Sequence, residues 1–173
     1  MTTWTSEELN KIGTAEELQI ASLRHDGTLR KPVIIWVVRV GDELYVRSVN
    51  GRTSAWFRGV RTRQEGQIRA GGVVKDVTFV EESDSNINDQ IDAAYATKYR
   101  RYAASIINSI ISPEACSATI KLVPRSTSSQ FNNCYNVPSR KSKRSGTLYT
   151  APAPSTTDYL SLITVCYLIR ACS

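Results

Sequence analysis

The sequence contains a single histidine, His25, and that scarcity removes two chemistries at once. A Ser-His-Asp hydrolase needs an imidazole set between a nucleophile and a carboxylate, and a multi-histidine metal centre needs several imidazoles. One histidine in an expected His25-Asp26-Gly27 turn reads as a surface residue. The four cysteines add little: only Cys116 precedes residue 126, while Cys134, Cys166 and Cys172 follow it, and no two form a C-x-x-C pair. No disulfide framework and no metal site is expected. A Walker-type phosphate loop and a Gly-x-Gly-x-x-Gly stretch are also missing. The acid pairs Glu7-Glu8, Glu16-Glu17 and Glu81-Glu82 fall at expected helix starts or strand ends, where solvation and the helix dipole account for them. No residue is singled out as catalytic, and any enzymatic centre is expected to come from a cofactor.

Long apolar runs are scarce too. YLSLITVCYLI, residues 159–169, falls short of the roughly 20 residues a spanning helix needs, so it reads as a sticky or interfacial end and no membrane span is expected. The opening MTTWTSEELNKIG has neither the basic nor the apolar region of a secretory signal, which makes the expected location cytoplasmic.

What is present is a basic chain of 173 residues with net charge +6, enough for one domain with a real core. The charge is uneven, about +2 over residues 1–125 and +4 over 126–173, so the body gives no support to a nucleic-acid partner and none is expected. Residues 1–125 are expected to form the domain. Residues 126–173, rich in Ser, Thr, Asn and Pro, are expected to be a low-complexity, disordered tail with an apolar end. Its cluster Arg140, Lys141, Lys143 and Arg144 reads as a solvated charge run rather than a localisation or nucleic-acid patch.

The stretch from Pro32 to Gly59 organises the body. Ile34 to Val40 predicts a strand buried on both faces, Gly41-Asp42 a tight reversal, and Leu44 to Val49 the returning strand. A two-residue loop puts Trp36 and Val38 on one face with Tyr45 and Arg47, and Ile35, Val37, Leu44, Val46 and Ser48 on the other. Asn50-Gly51-Arg52-Thr53-Ser54 then opens a helix carrying Ala55-Trp56-Phe57. A guanidinium, two hydroxyls and a helix start are the parts of an anion site, and equally the parts of an ordinary capped junction.

Around this unit, Thr5 and Glu8 predict a capping box, with Trp4 as a staple and Leu9 and Ile12 on the inner face of a helix ending at Gly13. Leu18 to Arg24 predicts a strand, Val60 to Gln67 a charged connection, and Ile68 to Val80 a hairpin about Gly71-Gly72. Ile91, Ala94, Tyr95, Tyr102, Ile106 and Ile110 recur at helical spacing and predict one long helix from about Asn88 to Ile111, its tyrosines read as packing residues. Ala118 to Pro124 predicts a last strand. The order is α+β, or a small barrel with covering helices.

Three ordered phrases cover most of residues 4–125: RHDGTLRKPVIIWVVRVGDELYVRSVNGRTSAWFRG, GQIRAGGVVKDVTF, and IDAAYATKYRRY with ATIKLVPR. On these the body resembles the family called domain of unknown function 2255. That family is similar to split-barrel flavin-binding proteins, among them pyridoxamine phosphate oxidases and deazaflavin-dependent nitroreductases. The resemblance implies an α+β split β-barrel of six or so strands, FMN-binding-like, with a long helix on its C-terminal side packed on the barrel. It also implies a homodimer with FMN or a deazaflavin near the subunit interface. Arg52, Thr53 and Ser54 would hold phosphate in the turn begun by Asn50, and Ser48 would approach the ring. Trp36 or Trp56 would wall the pocket, with Arg47 nearby. The implied activity is an oxidoreductase passing hydride to a small-molecule acceptor; the alternative is a non-catalytic ligand-binding split-barrel module. Arg58-Gly59-Val60-Arg61 departs from the Asn-Pro pair that many relatives carry after this helix.

Overall fold

The computed structural model describes residues 3–126. The expectations for the tail beyond Ser126 therefore lie outside the described residues.

The first helix forms where its local signals place it. α1 (Ser6–Thr14) starts at the N-cap Thr5, whose hydroxyl accepts from Glu8 N–H while the Glu8 carboxylate accepts from Thr5 N–H, a complete capping box. Trp4 and Leu9, the two staple positions, both sit in the inner core cluster with Ile12, and Trp4 Nε1 donates to the Leu122 carbonyl at 3.0 Å. Glu8 also meets Lys75 Nζ at 2.8 Å. The Lys75 ammonium first, and then the Thr5 N–H, hold the Glu8 carboxyl below its ordinary 4.5. Because the folded value is depressed, this stabilisation is complete above the ordinary carboxylate range and is lost as pH falls through the lower folded value. Glu8→Ala is expected to cost about 1 kcal/mol at pH 7, and much less in acid. Urea denaturation of both proteins at pH 7 and pH 3 checks this; an equal difference at both pH values contradicts it.

Seven strands follow the order β2-β1-β5-β6-β7-β4-β3, every neighbouring pair antiparallel. They are β1 (Leu18–Ser22), β2 (Val33–Ile35), β3 (Val37–Val40), β4 (Glu43–Arg47), β5 (Glu65–Ala70), β6 (Val73–Glu81) and β7 (Thr119–Pro124). The single strand expected over Ile34–Val40 is divided at Trp36. Its first part pairs with β1 and its second with β4, so the two edges of the sheet are consecutive in the chain. One residue between the edges brings the sheet nearly to closure as a barrel split at Trp36. Nor is the run buried throughout, since Ile34 is 48% exposed.

The β3–β4 hairpin turns at Gly41-Asp42 with Val40 opposite Glu43, the two-residue loop that the alternation requires. Val37, Leu44 and Val46 accordingly face the inner cluster, to which α2 (Ala55–Arg63) adds Phe57 and Val60. Val38 and Tyr45 face outward into a second cluster under α3 (Ser85–Lys98) and α4 (Ala104–Ile110). Val60 to Gln67 is not a connection. α2 runs to Arg63 and β5 starts at Glu65, with Gln64 alone between them in the left-handed region, φ 45°.

The helix expected from 88 to 111 is divided between α3 and α4. Tyr99 ends the first part: its ring stacks on Trp36 at 4.0 Å and 5°, and its hydroxyl accepts from Val37 N–H (3.2 Å) and donates to the Glu16 carbonyl (2.7 Å). Lys98 adds bonds to the Ala15 and Val37 carbonyls at 2.7 and 2.6 Å, and burial pulls its ammonium down to about 8. Side chains from α3 thus satisfy backbone groups at the seam where the edge strands lack each other. α5 (Pro113–Cys116), capped by Ser112, leads into β7.

Candidate functional site

β4 ends in Arg47 and Ser48, and the chain then makes a 3-10 turn over Gly51–Thr53 before α2. Ser54 is the N-cap of α2, yet its hydroxyl bonds the Ser48 hydroxyl at 2.7 Å and caps no backbone N–H. Thr53 Oγ1 donates to the Asn50 carbonyl at 3.0 Å. Arg52 meets Glu81 at 2.7 Å, donates to the Ser117 carbonyl at 2.8 Å and lies over the Phe57 ring. Arg61 reaches the same Glu81 at 2.8 Å. The Asn50–Ser54 turn is therefore tied to the end of β6 and to the residues after α5.

Two other residues singled out in the sequence lie on the outward face. Trp36 is stacked among Tyr99 and Tyr102. Arg47 is fully buried under α3, where it bonds Thr119 Oγ1 (2.9 Å), Asn88 Oδ1 (2.8 Å) and the Asp92 carboxylate. The structure thus brings Ser48, Asn50, Arg52, Thr53 and Ser54 together in the turn, and sets Trp36 and Arg47 apart from it beneath α3.

Trp56 belongs to a different environment, an open cavity of about 270 Å³ between the start of α2 and the β1–β2 connection. Ala55, Trp56 and Val60 form the α2 wall, with Ile20, Ser22 and Val33 opposite. Its polar lining is basic: Arg24, Arg30 and Lys31, and no carboxylate. The connection is fixed by Asp26, whose carboxylate accepts from both the hydroxyl and the N–H of Thr28, the hydroxyl first in holding it below the usual carboxylate range. Arg24 is braced on the Thr28 hydroxyl (3.1 Å) and the Leu29 carbonyl (3.0 Å). Arg30 Nε is buried with no hydrogen-bond partner among the described residues. It packs against α2 at Gly59, where an added Cβ would stand 3.2 Å from Arg30 Nε and 2.9 Å from Ser22 Oγ. A buried N–H donor left unpaired costs about 1–3 kcal/mol, which an acceptor entering the cavity would relieve.

The sequence reading passed over Arg24, Arg30 and Lys31. Their signal was in the phrase RHDGTLRKP, where basic residues flank a Gly turn with only Asp26 against them.

A nearly closed antiparallel barrel, split at one residue and covered by helices outside, defines the class as a split-barrel protein. The chain belongs to the family described as "Uncharacterized protein conserved in bacteria (DUF2255)", whose model matches residues 8–122. Three solved structures share the fold at low identity. A candidate pyridoxamine 5'-phosphate oxidase from Listeria innocua superposes with TM-score 0.50 at 16% identity, over 69% of this chain and 92% of that one. A conserved hypothetical protein from Mycobacterium tuberculosis gives 0.55 at 10% identity, over 73% and 83%. The heme storage protein HutZ from Vibrio cholerae gives 0.52 at 14% identity, over 72% and 92%. No curated protein matches the chain. Among the described residues no helix is long and apolar enough to cross a membrane.

Proposed function

We propose that this split barrel binds a phosphorylated aromatic cofactor, FMN or a deazaflavin, and serves as an oxidoreductase toward a small acceptor. The cavity beside Trp56 is the observation that carries this: three cationic side chains, no carboxylate, and a buried Arg30 Nε in want of an acceptor. At about 270 Å³ it lies at the small end of ligand pockets, with room for a phosphate and the chain bearing it. Arg24, Arg30 and Lys31 would hold the phosphate, and the uncapped start of α2 at Ser54 and Ala55 adds the favourable end of its dipole. Trp56 would stack against the ring at the mouth. A bound flavin would itself supply the hydride chemistry. Arg52 contributes only if a ligand displaces Glu81 from it, in which case Thr53, Ser54, Asn50 and Ser48 join the phosphate site. A cytoplasmic location and a homodimeric state belong to the same reading.

Fluorescence titration with FMN, riboflavin and a deazaflavin tests it. The phosphorylated ligands should bind more tightly than riboflavin, and Arg30→Gln should weaken them about tenfold or more, the worth of one charge-assisted hydrogen bond. Arg52→Ala run in parallel locates the phosphate, because a loss confined to that variant moves it to the Asn50–Ser54 turn. Equal affinity for riboflavin and FMN, unaffected by Arg30→Gln, defeats the phosphate assignment. With FMN bound, bleaching on addition of NADPH marks an oxidoreductase, and its absence a non-catalytic binding module.

A further inference from the structure

The outer face of the sheet beneath β2, β1, β5 and β6 carries a row of side chains that the folded domain does not use. Register places Ile34 beside Gln19, Gln19 beside Arg69 and Arg69 beside Val74, one residue from each strand in turn. All four are exposed, Ile34 by 48% and Val74 by 56%. Together with Glu17 they line a shallow hollow of about 420 Å³. Among the described residues neither Glu17 nor Arg69 forms an ion pair, and Arg69 has only long bonds of 3.3 and 3.4 Å to Gln67 Oε1. One free charge of each sign on one patch, with apolar side chains at both ends of the row, is a self-complementary surface.

We infer that this face binds a second copy of the chain about a two-fold axis, with Glu17 of each protomer set against Arg69 of its partner. A two-fold contact uses the same patch twice, so a patch carrying both signs forms two identical charge pairs and leaves neither sign unmatched. Ile34 and Val74 supply the apolar area between them. The contact is face to face rather than edge to edge: β2 is only three residues long and follows Pro32, which makes it a poor template for strand pairing. This surface rests on the homodimeric part of the reading above and is independent of its ligand.

Sedimentation of the full chain provides the test. The unaltered protein should be a dimer. Glu17→Arg and Arg69→Glu, both at exposed positions, should each weaken dimerisation about tenfold or more, and the two together should restore it. Val74→Asp should weaken it without rescue, with the melting temperature of the monomer unchanged. An unaltered protein that stays monomeric at about 100 µM overturns both this surface and the homodimeric reading. A dimer indifferent to all three substitutions overturns only the surface. Disruption by both charge reversals without rescue overturns the Glu17–Arg69 pairing. Protection of the face from labelling in a monomer would mean that something other than a second copy covers it, and would equally overturn the proposal.

Discussion

Asp92→Ala is expected to destabilise the domain by about 3 kcal/mol, through the charge it leaves behind rather than the contact it removes. The Arg47 side chain is fully shielded from solvent, while that of Asp92 keeps 33% of its exposure. The guanidinium is spread over the Asp92 carboxylate, Thr119 Oγ1, Asn88 Oδ1 and the Asn88 carbonyl, so its donors are matched, but only Asp92 neutralises its charge. Alanine at 92 strands a buried cation between α3 and the sheet. The partial exposure of Asp92 admits some water, which keeps the expected cost at the lower end of the 3–5 kcal/mol typical of broken buried pairs. In a domain of this size that is a fall of roughly 10 °C in Tm. The double variant Arg47→Met, Asp92→Leu should recover most of the loss, because exchanging the whole pair for apolar side chains removes the desolvation cost together with the attraction. Thermal melts of the two variants decide the matter. A double variant no better than Asp92→Ala would mean that the hydrogen bonds to Thr119 and Asn88, not the charge, hold α3 down.

How far the structure could be read from the chain follows the range of each interaction. The capping box at Thr5 and Glu8 involves residues three apart and forms as the sequence implies. The two faces of the β3–β4 hairpin follow from alternation plus a two-residue turn, so the assignment of Val37 and Val46 inward and Val38 and Tyr45 outward was legible. The break at Trp36 was not. Ile34–Val40 is one apolar run, and periodicity carries no information that its halves pair with β1 and β4 at opposite edges of the sheet. The end of α3 is likewise set by tertiary contact, since helical spacing continues past Tyr99 and the ring leaves the pattern to stack on Trp36. The candidate site shows the same limit. Arg52 beside a helix start is a local anion signature, but the acid that meets it, Glu81, stands 29 positions away. Arg24, Arg30 and Lys31 become a site only because α2 folds back over the β1–β2 connection and brings Trp56 with it.

Gly66→Ala should be comparably severe, and for a reason that no composition or pattern shows. Gly66 lies in β5 between Ser22 of β1 and Val77 of β6. A Cβ there would stand 2.2 Å from the Ala21 carbonyl oxygen and 2.7 Å from the nearest carbon of the Phe79 ring. Neither neighbour can yield cheaply. The carbonyl belongs to a strand paired on both sides, and Phe79 is 1% exposed inside the barrel. Relief requires β1 and β5 to separate, which places the cost at the upper end of the range for overpacked cores, about 3 kcal/mol. Gly27→Ala is the matched control. It has positive φ, 83°, but nothing within 4 Å of an added Cβ, so it should cost only the left-handed backbone penalty of about 1–2 kcal/mol. Urea midpoints of the two variants separate the causes, and failure of Gly66→Ala to accumulate as folded protein is the same result at its limit. If Gly66→Ala proves no worse than Gly27→Ala, β1 and β5 do not approach as closely at Ala21 as the register requires. If it is worse, β1 is held where Ser22 meets Gly59 and Arg30, and the geometry of the basic cavity depends on a strand spacing that only glycine permits.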